Sequence, residues 1–152
     1  MLVLALDQDT YGNDIASALL VSGPVDGVVP ATDARATFAG QSVDDLWVQS
    51  ARFVGDVDGD GQGDILVGAG GSLLSDPGGV TSLFYGPFSG TRELMGADVR
   101  MLGEQMGAQA GHAIDGAGDV DGDGLDDLVI GSPGWSSTDG EGAAYVILGA
   151  WL

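Results

Sequence analysis

Short apolar runs separated by stretches of Gly and Asp organise this chain. In its middle third, residues 48–54 alternate weakly between apolar and polar side chains and end at an Asp-rich segment. Residues 64–69, Asp-Ile-Leu-Val-Gly-Ala, form a continuous apolar run. Residues 80–85 are rich in aromatic and β-branched side chains and close at Gly86-Pro87, and residues 99–102 form a shorter run that closes at Gly103. Runs of this length, bounded by Gly and Pro, predict four β-strands, A to D.

The pattern repeats. Gly55-Asp-Val-Asp-Gly-Asp-Gly61 recurs as Gly118-Asp-Val-Asp-Gly-Asp-Gly124, an offset of 63 residues. Carried forward without a gap, the offset matches 48–89 with 111–152, and nearly every identity is Gly or Asp. Carried backward, it lays residues 2–6 on 65–69 and 128–132. It also sets Leu20, Gly23, Pro24, Gly27 and Gly40 on identical residues at Leu83, Gly86, Pro87, Gly90 and Gly103. Turn residues are held while strand residues drift among similar types, as expected of divergent copies of one structural unit. Four strands per unit of this length predict an all-β fold of β-propeller blades, each a four-stranded antiparallel sheet packed face to face on its neighbours. The expected division is a partial blade at 1–47 (strands B, C and D), a full blade at 48–110, and a partial blade at 111–152 (A, B and C). That makes about two and a half blades in an incomplete ring.

Composition narrows the function classes. Twenty-three acidic residues face four Arg, for a formal net charge of −19. Without a basic patch the chain cannot displace counterions from phosphates, which excludes a nucleic-acid binder. The 28 glycines are about 18% of the chain against a usual ~7% and argue against a helix bundle. Cysteine is absent, so neither a disulfide framework nor a thiolate metal site exists. No apolar run approaches the ~18 residues of a membrane span, so no membrane insertion is expected.

The acidity concentrates where an ion would want it. Asp56, Asp58, Asp60 and Asp64 occupy positions 1, 3, 5 and 9 of Asp-x-Asp-x-Asp-Gly-x-x-Asp, and Asp119, Asp121, Asp123 and Asp127 repeat that spacing. A hard cation such as Ca²⁺ takes six to eight oxygens, and alternate residues of a tight loop can converge short carboxylates on one centre. Gly61 and Gly124, at position 6, supply the turn. The backbone carbonyls at position 7, Gln62 and Leu125, complete the expected shell, which leaves that side chain free to vary. Two Ca²⁺ sites are therefore expected, one in each A–B loop, and their role is structural. An EF-hand shares the early positions but needs a bidentate Glu at position 12 and flanking helices. Here position 12 is Val67 or Ile130, inside expected strands. Asp115 and Asp126 read as surface acids.

On these residues the chain resembles the FG-GAP repeat family, the calcium-binding propellers of integrin α-subunits and of many bacterial surface proteins. The resemblance rests on residues 116–133, Gly-Ala-Gly-Asp-Val-Asp-Gly-Asp-Gly-Leu-Asp-Asp-Leu-Val-Ile-Gly-Ser-Pro, and on 142–149, Gly-Ala-Ala-Tyr-Val-Ile-Leu-Gly. The Phe-Gly pair that names the family is here Trp47-Val48 in one unit and Ala110-Gly111 in the next. The resemblance implies Ca²⁺ on one face of a propeller ring that serves adhesion or protein recognition, at the cell surface or outside the cell.

Little else competes. His112 aligns with Gln49 on strand A and reads as a satisfied strand residue. No Gly-x-Ser-x-Gly elbow is present and no Ser/His/Asp order stands out, so the chain is expected not to be an enzyme. Trp47, Trp135 and Trp151 fall at three phases of the repeat and read as packing between blades, with Trp135 a candidate exposed contact in the B–C loop. An alternative function is the non-catalytic, lectin-like propeller portion of a secreted hydrolase that binds glycans. Strands B and C occur three times but A and D only twice, so the expected state is a homo-oligomer or part of a longer propeller, with a protein or glycan as ligand.

Overall fold

The structure, a computed structural model, describes residues 1–8, 14–24, 27–40, 48–69, 78–135 and 141–152. Trp47 and most of the two B–C loops lie outside the described residues. Among those described, the elements are strands and three short 3-10 turns: β1 (Leu2–Gln8), β2 (Asp14–Leu20), β3 (Ala36–Ala39), β4 (Val48–Gly55), β5 (Asp64–Ala69), β6 (Val80–Phe84), β7 (Gly90–Glu93), β8 (Val99–Leu102), β9 (Ala113–Gly118), β10 (Asp127–Ser132) and β11 (Ala143–Ile147). They form three sheets ordered β1-β2-β3-β7, β4-β5-β6-β8 and β11-β10-β9. The fold is all-β, built of propeller-blade sheets.

The middle sheet shows why the sequence reads as it does. β5 is buried at every position, as its continuous apolar run requires. It is a central strand with a neighbouring sheet on each face. Its side-chain period of two sends Ile65, Val67 and Ala69 one way and Leu66 the other. Across the β5–β6 register, Ile65 faces Phe84 and Leu66 faces Leu83. Two separate cores result. Ile65, Val67, Ala69, Val80 and Phe84 join Ala16, Ala18, Leu20, Ala36 and Phe38 of the first sheet. Leu66, Leu83 and Val54 join Ile114, Leu128 and Ile130 of the third.

The first core is anchored by Phe38, stacked at a tilt on Phe84 with centroids 4.8 Å apart and edge-on to Phe88 at 5.5 Å. Both spacings are favourable for aromatic quadrupoles. The second junction depends on a glycine. A Cβ on Gly68 would run into the Gly111 carbonyl and the Ser50 hydroxyl, and that hydroxyl donates to the same carbonyl at 2.9 Å. The backbones of the second and third sheets meet there without room for a side chain.

One strand has no counterpart in the sequence reading. β7 leaves the middle unit and pairs in parallel with β3, Ala36 opposite Gly90 through Ala39 opposite Glu93. It extends the first sheet by the only non-antiparallel pairing among the described residues. Arg35 fastens it. The Gly90 N–H donates to the Arg35 carbonyl at 3.0 Å, and the Arg35 Nε donates to the Phe88 carbonyl at 3.0 Å.

Candidate metal centre

Each Asp-rich loop is a hairpin connection, closed at its foot by a Gly–Asp pair: Gly55 opposite Asp64 on β4–β5, and Gly118 opposite Asp127 on β9–β10. A register shift follows directly in both hairpins. Bulges of this kind twist a strand end and re-aim its side chains. Gly61 and Gly124 turn the loops with φ of 85° and 95°, a region that penalises any Cβ. Val67 and Ile130, at position 12, are buried in β5 and β10. No helix flanks either loop, and the EF-hand alternative is excluded.

Within each loop three carboxylates converge. One oxygen from each of Asp56, Asp58 and Asp64 lies within 4.8 Å of the others, and Asp119, Asp121 and Asp127 form the same cluster. The position-9 residues are fixed hardest. Asp64 is fully buried and accepts the Val57 N–H at 2.8 Å and the Gly86 N–H at 3.0 Å. Asp127, equally buried, accepts the Val120 and Gly149 N–H groups, each at 2.8 Å. Gly86 and Gly149 follow β6 and β11, so strand C of each blade helps place the carboxylate at the base of its own loop.

The position-1 carboxylates pin the turn. Asp56 Oδ2 accepts the Gly61 N–H at 2.8 Å, and Asp119 accepts the N–H groups of Gly122, Asp123 and Gly124 at 2.6, 3.0 and 2.9 Å. Asp58 and Asp121 stand exposed and accept the Asp60 and Asp123 N–H groups. Asp60 and Asp123, the position-5 acids, lie outside the three-carboxylate clusters. Asp60 takes the backbone and side-chain amides of Gln62 at 2.7 and 3.0 Å, and Asp123 takes the Leu125 N–H at 2.8 Å.

Burial raises the pKa of Asp64 above the ordinary Asp value of 3.8; the Gly86 and Val57 hydrogen bonds pull it back, and the charges of Asp58 and Asp56 push it further up. Tyr85 is raised in the same way, by burial and then by Asp58, Asp64 and Asp98. The loop thus concentrates negative charge, with the Asp56 and Asp58 carboxylates acting together on Asp64. Asp56 Oδ1 is buried with no hydrogen-bond partner. A buried carboxylate oxygen left unpaired costs free energy unless a cation or another donor meets it. The donor set is all oxygen, acidic and clustered, and it fits a hard divalent ion.

Sequence reasoning missed Asp126. It reads as a surface acid because the repeat places it opposite Gly63. In the structure it is half-buried and reaches across to the other loop, where its Oδ2 accepts the Asp56 N–H at 2.8 Å and its own N–H donates to the Asp56 carbonyl at 3.1 Å. His112 has the expected side-chain partner, its Nδ1 3.0 Å from Gln49 Oε1 across the offset of 63, but it stands exposed in a bend one residue before β9 and not on the strand. Trp135 Nε1 donates to Glu104 at 3.3 Å, whereas Trp151 is 74% exposed and does not pack between sheets.

Stacked sheets, two of them carrying an Asp-rich turn between their first two strands, define a β-propeller module. The FG-GAP repeat family model matches residues 110–147, which hold the second Asp loop and all three strands of its sheet. Integrin alpha-PS2 of Drosophila melanogaster is 33% identical over 104 residues, which is 67% of this chain and 7% of that protein. The chain belongs to the FG-GAP repeat, integrin α-like family, and it spans only a small fraction of the length of this relative.

Proposed function

We propose that this chain is a calcium-binding propeller module that serves adhesion or protein recognition at the cell surface or outside the cell. One structural Ca²⁺ sits in each A–B loop. Asp56, Asp58, Asp60, Asp64 and the Gln62 carbonyl hold the first, and Asp119, Asp121, Asp123, Asp127 and the Leu125 carbonyl hold the second. The observation that carries this reading is the convergence of three carboxylates in both loops, together with the unpartnered, buried Asp56 Oδ1. The ion's chemistry here is electrostatic: it offsets the mutual repulsion of the carboxylates and ties the A–B turn to the rest of its sheet. No catalytic step belongs to this reading.

The blades divide at 1–47, 48–110 and 111–152 under this proposal. Outward of the Leu128 and Ile130 face, the third sheet presents Val129 paired with a half-exposed Val146. That apolar surface is suited to packing against another blade, whether in a longer propeller or in a second copy of the chain. Among the described residues no helix is long and apolar enough to cross a membrane. Native mass spectrometry in added calcium reports ion count and chain count together. Two ions per chain support the proposal, and a spectrum unchanged by calcium overturns it.

A further inference from the structure

We infer that the two Asp loops are coupled through Asp126, so that an ion in one raises the affinity of the other. The inference rests on the calcium reading above but concerns a residue that is no ligand in it. Asp126 makes a two-way clasp with the Asp56 peptide, accepting its N–H at 2.8 Å and donating to its carbonyl at 3.1 Å. Asp56 is position 1 of the first loop. The residues either side of Asp126 belong to the second: Asp127 is its buried position-9 carboxylate, and Leu125 contributes the position-7 carbonyl. The Leu125 side chain also reaches the first loop, since a Cβ on Gly59 would lie 2.8 Å from Leu125 Cδ2. Two consecutive residues of the second loop, Leu125 and Asp126, therefore rest against the first.

The sequence leaves room for this contact. Gly55 has a φ of 91°, and a Cβ there would run into the Asp126 carboxylate. The residue equivalent to Asp126 in the middle unit is Gly63, which has no side chain to reach across. The clasp is therefore particular to this junction and is not a feature of every repeat.

A loop of mutually repelling carboxylates must be ordered before it binds, and that ordering opposes binding. An ion in the first loop fixes the Asp56 peptide, which in turn fixes residues 125–127. The second ion then meets a loop already partly ordered and binds more tightly. Linkage makes the effect reciprocal. The direct Coulombic effect has the opposite sign, because one cation weakens the field that attracts the next, and it fades as salt shortens the screening length. Positive coupling at moderate salt is thus the signature of the clasp.

The test is calcium titration calorimetry on the whole chain, with the intact protein and two single-site variants compared in each Asp126 background. Asp58→Ala disables the first loop and Asp121→Ala the second, which gives the two single-site affinities. The wild type gives their product multiplied by the coupling factor. We expect a factor of about fivefold or more, the low end of typical couplings, falling to about one when Asp126→Ala is added. Asp126→Asn keeps an acceptor for the Asp56 N–H while losing the charge, so it should weaken both single-site affinities yet retain coupling. A wild-type factor of one overturns the inference and leaves the calcium reading standing. So does a loss of coupling in Asp126→Asn as complete as in Asp126→Ala. No heat from the wild type overturns the calcium reading itself.

Discussion

Replacing Asp64 by Asn separates what this carboxylate does for the ion from what it does for the fold. Both of its oxygens are engaged by backbone N–H groups, those of Val57 and Gly86. The amide of Asn has one acceptor oxygen, so one of these buried donors loses its partner, at a cost of about 1–3 kcal/mol. Two gains oppose that cost: a buried charge disappears, and so does its repulsion with Asp56 and Asp58. In chelator the variant should therefore lose about 1 kcal/mol. Calcium changes the comparison. With a dissociation constant of ~10⁻⁴ M and about 2 mM free Ca²⁺, an intact site adds about 1.5–2 kcal/mol, and the variant forfeits most of it. Urea denaturation with and without calcium reads both quantities, with Asp115→Asn, an exposed acid outside both loops, as the control. A variant that gains as much stability from calcium as the wild type would refute the reasoning.

Three further outcomes follow from the geometry. Phe84→Ala, at the fully buried centre of the first core and in ring contact with Phe38, should cost about 3–5 kcal/mol in chemical denaturation. Gly68→Ala would press a methyl into the Gly111 carbonyl and the Ser50 hydroxyl. It should destabilise the packing of the second and third sheets by about 1–3 kcal/mol, visible as faster amide exchange in β4 and β9. In chelator, stability should fall as pH rises through the window between 3.8 and the raised pKa of Asp64. There the folded chain still holds a proton that the unfolded chain has released. Asp64→Asn should flatten that fall, as a pH series of denaturation midpoints will show.

Much of the fold was legible in the sequence because its strongest signals are local. β5 shows as an unbroken apolar run and is buried on both faces, and β4, β6 and β8 lie within a residue of the expected spans. The Asp loops were legible because turn geometry and carboxylate spacing are both written in consecutive residues. β7 was not. Gly-Thr-Arg-Glu carries no apolar signal, and its side chains are largely exposed. Backbone pairing with a strand more than fifty residues away makes it a strand. Asp126 was invisible for a related reason, since its partner is a peptide group in another unit, 70 residues distant. The position-5 acids illustrate a finer limit. Spacing alone sets Asp60 and Asp123 beside the other proposed ligands, whereas in the structure they accept amides of their own loops and lie outside the three-carboxylate clusters, so joining the proposed ion's shell requires their carboxylates to turn inward.

The central claim is that both Asp loops hold calcium, and diffraction from crystals grown in calcium tests it most directly. The account predicts an anomalous peak in each loop, one among Asp56, Asp58 and Asp64 and one among Asp119, Asp121 and Asp127, with oxygens at roughly 2.3–2.6 Å. Ordered water alone in both clusters, at millimolar calcium, would contradict it.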